Sequence, residues 1–297
     1  MMMDRFIGRL RAMPLNAMPL KALPLTALAC CLTALPALAQ AADLATKTGN
    51  KLGVSVSGYK YTERGTMSIK ATKIGFDYSG TYAIGSEWPN HSKGWFVRGD
   101  LRYATGKGDY DSGASGALNA RPDWYYEVRG LLGKDFHFGD YTLSPYAGLG
   151  YRYLYNDLRG ATSTGARGYR RESQYTTLPI GVIHKMGLAN QAQLLTTVEY
   201  SYLIRGQQDS IFSDLVGFSG VVAAQDARTP QRRGYGLRLG MSYQVDQWSV
   251  GPFVHYWNIG QSDTALVSRA VFGSVTLPVV EPANKTTEYG IRGVYRF

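Results

Sequence analysis

Apolar and polar positions alternate with a period of two in segment after segment between residues 52 and 297. That period marks a strand with one apolar and one polar wall. Residues 52–61 form the first such stretch. A second, 68–84, sets Ile74, Phe76, Tyr78, Tyr82 and Ile84 against Lys73, Asp77, Ser79 and Thr81. In the third, 94–105, Trp95, Val97, Leu101 and Tyr103 oppose Arg98, Asp100 and Arg102. The fourth starts at Trp124, with Tyr126, Val128 and Leu132 against Glu127, Arg129 and Asp135. The fifth, 141–155, carries Tyr141, Leu149, Tyr151, Tyr153 and Tyr155 opposite Ser144 and Arg152. Leu178, Ile180 and Val182 mark the sixth, 172–186. The seventh, 192–205, sets Leu194, Val198, Tyr200, Tyr202 and Ile204 against Gln193, Thr197, Glu199, Ser201 and Arg205. Strand eight, near 235–243, puts Arg238 on its polar wall, and strand nine spans 248–260. The chain closes on 288–297, with Tyr289, Ile291, Tyr295 and Phe297 on one wall and Glu288, Arg292 and Arg296 on the other.

This reading predicts ten antiparallel strands, each of about 10–15 residues and long enough to cross a bilayer at a barrel tilt. Eight or twelve strands are the alternatives, because 64–72 and 261–285 parse poorly. The connections alternate in length. Those at 85–93, 139–140, 187–191 and 246–247 are short, and those at 106–122, 156–170, 206–232 and 261–285 are long, with 64–67 breaking the rule. A soluble β-sandwich or lipocalin-like barrel would hide its apolar wall, and its strands are usually nearer five or six residues.

The closing strand resembles the C-terminal strand of small Gram-negative outer-membrane β-barrel proteins, the porin-like and OmpA-like class, which ends in Phe. Resemblance to that class implies an antiparallel transmembrane β-barrel in the cell outer membrane, with short periplasmic turns and longer extracellular loops. It also implies that Tyr289, Ile291, Tyr295 and Phe297 are read by the barrel-assembly machinery, with lipid and lipopolysaccharide as the barrel's surroundings.

The N-terminus explains much of the remaining hydrophobicity. Arg5, Arg9, Arg11 and Lys21 precede the apolar run 22–38, and Pro36-Ala37-Leu38-Ala39-Gln40-Ala41 supplies small-residue cleavage positions after Ala39 or Ala41. Residues 1–41 therefore read as a signal peptide, 42–50 as a short periplasmic tail and 51–297 as the barrel. The leader is long, and Met13 or Met18 would start a more ordinary one. Pro14, Pro19, Pro24 and Pro36 would interrupt an inner-membrane anchor helix. Cys30 and Cys31 both lie in the leader, so the mature chain has neither a disulfide nor a thiolate metal site. Removing 1–41 lowers the net charge from +10 to +7. In an exported chain that balance points to basic loops and lumen residues rather than to nucleic acid.

The polar walls hold the main candidate chemistry: Asp77, Arg98, Asp100, Arg102, Glu127, Arg129, Arg152, Glu199, Arg205, Arg238 and Arg292. On a lipid-facing wall an Arg near the midplane costs about 2–4 kcal/mol, so these residues are expected in the lumen. Opposite charges on neighbouring strands predict interlocked pairs: Glu199 with Arg238, Asp77 with Arg98 or Arg102, and Glu127 beside Asp100 and Arg152. Such a network would either plug the barrel, leaving a structural or surface-interaction role, or line a narrow anion-preferring pore. Enzyme chemistry fares worse. His91, His137 and His184 fall at or near predicted periplasmic turns, and His255 has no evident nucleophile or orienting partner. The strand count resembles that of the omptin proteases, but no rim Asp/His pair carries over. No cofactor or metal is expected.

Aromatic girdles are assigned to Trp95, Trp248 and Tyr141 at the periplasmic interface, and to Tyr103, Trp124, Tyr155 and Tyr202 at the outer one. Arg170, Arg171, Arg232 and Arg233 would lie at the outer rim, within reach of lipopolysaccharide phosphates. Ile211, Phe212, Leu215, Val216, Phe218, Val271 and Phe272 make the long loops more apolar than solvation requires, so they could cover the mouth or meet a surface partner.

Overall fold

The structure, a computed structural model, describes residues 44–85, 93–218, 221–270 and 274–297. The signal-peptide reading, the turn at Pro89-Asn90, His91, Val271 and Phe272 lie outside these residues. Ten long strands make the wall: β1 Gly49–Glu63, β2 Met67–Ile84, β3 Trp95–Ser112, β4 Gly116–Lys134, β5 Tyr141–Ala161, β6 Arg167–Gly187, β7 Gln193–Ile211, β8 Gly234–Val245, β9 Trp248–Ile259 and β10 Asn284–Arg296. Each pairs antiparallel with its sequence neighbours. β1 pairs with β10 from Lys51↔Arg296 to Glu63↔Asn284, which closes the barrel and leaves the wall without a free edge.

The tight turns at one end use residues that tolerate a left-handed backbone. Gly139 has φ 64° and Asp246 has φ 51°, as two-residue hairpins require. These turns and both ends of the wall share the periplasmic side. At the extracellular end the strands are far longer than expected. Residues 106–112, 116–122, 156–161 and 167–170 read as loop but stand as paired strand, and only 113–115 and 162–166 turn. About 9–11 residues suffice to cross the bilayer, so roughly half of β5 and β6 rises above it. The predicted loop 206–232 contains the end of β7, a 3-10 turn Phe212–Leu215 and the strand Ala227–Gln231, which pairs with β7. Within 261–285 lies a hairpin of Ala265–Ala270 and Ser274–Val279, and β10 begins at Asn284 rather than 288. The predicted tail contributes its last two residues, Gly49 and Asn50, to β1.

β1 and β2 reverse their polarity part-way up. In lower β1, Leu52, Val54 and Val56 face out, while Ser55 and Ser57 are buried inside. Further up, Tyr59 and Tyr61 are buried inside and Lys60 is exposed outside. β2 does the same. Ile74 and Phe76 face out and Lys73 in, but above them Met67 and Ile69 face in and Lys70 out. The lower wall is bathed in lipid and the upper wall in water, so each level places its apolar residues where water is absent.

Candidate functional site

The lumen is the candidate site, and it is built in layers. Lowest is the periplasmic mouth, where the chain ahead of β1 folds inward and Leu44 is buried. Asp135 accepts hydrogen bonds from the Thr46 backbone N–H at 2.5 Å, Thr46 Oγ1 at 2.9 Å and Ser144 Oγ at 2.6 Å. Lys185 Nζ donates to Asp135 at 3.1 Å and to the Leu44 carbonyl at 3.2 Å.

Above the mouth lies the charge network. Strand register lines up Asp77, Arg102, Glu127 and Arg152 across β2 to β5, an alternating row that period two brings to one face. A second row runs Glu199, Arg238, His255 and Glu288 across β7 to β10. Arg129 joins three carboxylates: Asp100 at 2.7 Å, Glu199 at 2.7 Å and Glu127 at 3.6 Å. Arg238 pairs with Glu199 at 3.1 Å and also with Glu127. Arg102 reaches Asp77 at 2.8 Å, Glu288 at 2.7 Å and the Tyr125 hydroxyl at 2.7 Å. Ser57 donates to Glu288 at 2.8 Å, and Tyr125 donates to its other oxygen. A carboxylate with two or three donors and a guanidinium is well compensated for burial.

Several predicted positions need correction. Asp77 pairs with Arg102 and, at 3.3 Å, with Arg292, whereas Arg98 takes Asp100 at 3.1 Å. Arg152 faces inward, but its guanidinium lies between the rings of Tyr125 (4.7 Å) and Trp257 (4.9 Å) instead of on Glu127. Arg205 is exposed on the outside, because a bulge opposite Thr176 and Thr177 shifts the register of β7 and flips the parity beyond Leu203. Arg171 is not at the rim. It is buried in the lumen, 2.5 Å from Glu63 and bonded to Glu281. Arg170 points out and is held by Asp214 at 2.9 Å, Arg232 meets Asp263 at 2.7 Å, and Arg233 is exposed.

The remaining assignments concern the outer wall. Trp95, Tyr141 and Trp248 face out near the periplasmic end. Trp124 stacks on Tyr155 at 5.1 Å and lies 6.1 Å from Tyr103, with Tyr202 exposed on the far side. Tyr289, Ile291, Tyr295 and Phe297 form one exposed outer file. Among the loop residues, Phe212 meets Tyr169 edge-on at 4.7 Å and Phe218 lies under Arg167 at 4.3 Å.

Sequence reasoning missed the top of the network. Lys73 is fully buried, bonded to the Asp123 carboxylate and, at 2.9 Å, to its carbonyl. Asn156 also donates to Asp123, at 2.9 Å. Around these groups Tyr59, Tyr61, Met67, Ile69, Tyr125, Leu154, Leu158, Tyr175, Leu203, Trp257 and Ile259 form a continuous apolar core that fills the upper lumen. Lys73 and Glu288 were legible as polar-wall residues; Asp123, Glu63 and Glu281 lay in or beside segments read as loop.

Below the core a cavity of about 310 Å³ remains, lined by nine basic side chains against four carboxylates. His255 sits at its upper edge, 3.9 Å from Glu288, with its ring tilted against Phe253 at 4.9 Å. Among the described residues no three His, Cys, Asp or Glu side chains converge as a metal site. Among the described residues outside the membrane-spanning strands, the carboxyls of Asp135, Asp214 and Glu281 are perturbed. Burial opposes the charge on Asp135, but Ser144, the Thr46 N–H and Lys185 hold it below the usual range. Burial opposes the charge on Asp214, but Arg170 holds it below the usual range. Burial pushes Glu281 up to about 7, against the pull of Arg171 and with the help of neighbouring Glu63.

A family model described as the autotransporter beta-domain matches residues 43–252. Among solved structures, the outer membrane protease OmpT of Escherichia coli is similar at a TM-score of 0.57 and 10% identity, over 84% of this chain and 97% of that one. At that identity the likeness speaks to fold alone. The transport unit of the autotransporter AIDA-I of Escherichia coli gives 0.42 and 10% identity over 84% and 90% of the two chains. The translocator domain of NalP of Neisseria meningitidis gives 0.37 and 14% over 85% and 90%. No curated protein matches the chain.

Proposed function

The chain belongs to the autotransporter β-domain family, an outer-membrane β-barrel, and on that premise we propose a sealed, non-enzymatic barrel that works through its extracellular hairpins. One observation carries this reading: the cavity ends against the Arg102–Tyr125–Glu288 layer, and the apolar core fills the lumen above it. A solute crossing here would have to break buried ion pairs and then part close-packed rings. Arg102 and Glu288 each already spend their donors or acceptors on several groups, so opening the layer would break several bonds at once. The tall β3–β4 and β5–β6 hairpins give the surface role its material, a rigid, water-exposed platform rather than loose loops.

The basic lining of the cavity favours a second reading, a narrow anion-preferring channel. Conductance in a planar bilayer separates the two. The refolded mature barrel is expected to be silent, and Arg238→Ala, which unties Glu127 and Glu199 below the core, is expected to stay silent. A steady anion-selective current that changes in Arg238→Ala would overturn the sealed barrel and establish the channel.

A further inference from the structure

Where the polarity of the wall inverts, two arcs of the outer surface differ in charge. On the β5–β7 arc three cations have a carboxylate: Arg159 has Asp157 at 2.7 Å, Arg170 has Asp214 at 2.9 Å, and Arg228 has Asp209 at 3.3 Å, while Arg167 lies over the Phe218 ring and Arg205 stands exposed. On the β10–β1–β2–β3 arc, Lys285, Lys60, Lys70 and Lys107 stand exposed at the same level, and no ion pair joins any of them among the described residues. Lys60 lies directly opposite Lys70, and Lys107 is opposite Thr72, one outward step below Lys70. Like charges directly opposite in a sheet repel. The acids on this arc are Asp109 and, further out, Asp111; Asp109 faces Lys70 in the register, but one of its oxygens accepts the Ala120 N–H at 2.9 Å.

Below the lysines begins the apolar belt of Val56, Ile74 and Tyr103. Tyr289 lies across Gly58, 3.0 Å from where a Cβ would sit, so its ring floors a shallow outer groove that Lys60, Lys70, Thr72, Lys107 and the single acid Asp109 border. Edge protection does not explain the lysines, since the closed wall has no edge. Nor does polarity at the water interface, for which Gln174 and Asn258 serve at matching positions on β6 and β9.

We propose that this lysine groove binds the phosphorylated headgroup of an outer-leaflet glycolipid, with the acyl chains against the apolar belt and the phosphates on Lys60, Lys70 and Lys107. The inference is independent of whether the lumen conducts. It moves the lipopolysaccharide contact from the arginines read from sequence, of which Arg171 is buried, Arg170 and Arg232 are paired and Arg233 is exposed, to three lysines that border one groove.

The test uses the full mature barrel, refolded in detergent, with native-gel and fluorescence titration by purified lipopolysaccharide, by the same glycolipid stripped of its phosphates, and by inorganic phosphate. The variants are Lys60→Glu/Lys70→Glu/Lys107→Glu, the milder all-Gln version should the first fail to fold, and Arg159→Gln/Arg228→Gln on the other arc. Heat-dependent gel mobility checks folding. Each lysine beside an anionic surface contributes enough that losing three should weaken binding roughly tenfold or more. Tenfold or greater loss in the lysine variants, unchanged binding in the arginine variant, and weak binding of the stripped glycolipid are the expected results. Equal binding of the stripped glycolipid, or equal loss in the arginine variant, would overturn the proposal. Competition by millimolar inorganic phosphate would overturn the lipid assignment and leave a free-phosphate site.

Discussion

The lower and upper halves of this barrel are built from the same ten strands by opposite rules. In the lower half the outside is apolar and the inside is a lattice of guanidinium and carboxylate groups. In the upper half the inside is a packed aromatic and aliphatic core, and the outside carries lysines, glutamines and aspartates. The hydrogen-bond pairing and two-residue period run unbroken through β1 and β2, and elsewhere only single bulges interrupt them. What changes is the solvent outside. A wall in lipid gains nothing by hiding apolar side chains, so its interior is free to be polar provided every charge finds partners. A wall in water must bury its apolar side chains, and the upper half does so as a soluble barrel would. The molecule is in effect an inside-out barrel carrying a conventional one on top.

That difference predicts unequal responses to substitution. The largest effect is expected from Arg102→Ala. It leaves Asp77 short of a partner and Glu288 with only hydroxyl donors and a distant imidazole, and breaking a buried pair from one side costs about 3–5 kcal/mol. Because Arg102 ties β3 to β2, β4 and β10, the loss should appear as a lower midpoint for the whole barrel in urea unfolding followed by tryptophan fluorescence. A midpoint within error of the parent would mean that the lower network is not what holds these strands together. Leu203→Ala, in the buried upper core, should cost about 2–4 kcal/mol through lost burial and a residual cavity. Here the hairpins above the membrane should become protease-sensitive while the heat-shifted gel band of the membrane half persists. Simultaneous loss of both would show that the halves unfold as one unit.

The same inversion sets how much of the fold could be read from sequence. The ten strands, their order and the inward wall were legible wherever lipid lies outside, because Ile74, Phe76, Val128 and Val198 keep the apolar-out rule there. Legibility failed beyond Thr105 and Tyr155 and before Glu172, where polar residues such as Lys107 took the outward place and the rule appeared to end. Segments rich in Gly, Ser and Asp then read as loops, although they are the arms of hairpins. Arg171 was lost for that reason: counted as loop, it had no parity, whereas on β6 it shares the inward face with Ser173 and Tyr175. Arg205 failed differently. Period two predicts it inside, and only the bulge beside Ile204, which no residue type announces, turns it out.

The smallest of these effects is local and depends on pH. Arg171 serves both Glu63 and Glu281, and the Tyr61 hydroxyl lies 2.9 Å from the first and 3.3 Å from the second, with one proton to give. One guanidinium between two buried carboxyls leaves Glu281 pushed up to about 7. A carboxyl whose folded value is raised stabilises the closed form while it keeps its proton. The contribution is greatest near and below the ordinary carboxylate value of 4.5 and is lost as pH rises through about 7. Glu281 also closes the neck of the extracellular hairpin. Its carbonyl accepts from the Ser262 N–H at 3.0 Å, and its N–H donates to Ser262 Oγ at 2.8 Å. Residues 261–283 should therefore be cut more slowly by an added protease, or exchange amide hydrogens more slowly, at pH 5 than at pH 8, after correction for intrinsic rates. Glu281→Gln, which fixes the neutral form, should flatten that dependence and keep the slow rate at pH 8. If the parent shows no difference between the two pH values, the proton on Glu281 does not hold the hairpin; if Glu281→Gln keeps the full dependence, the titrating group lies elsewhere.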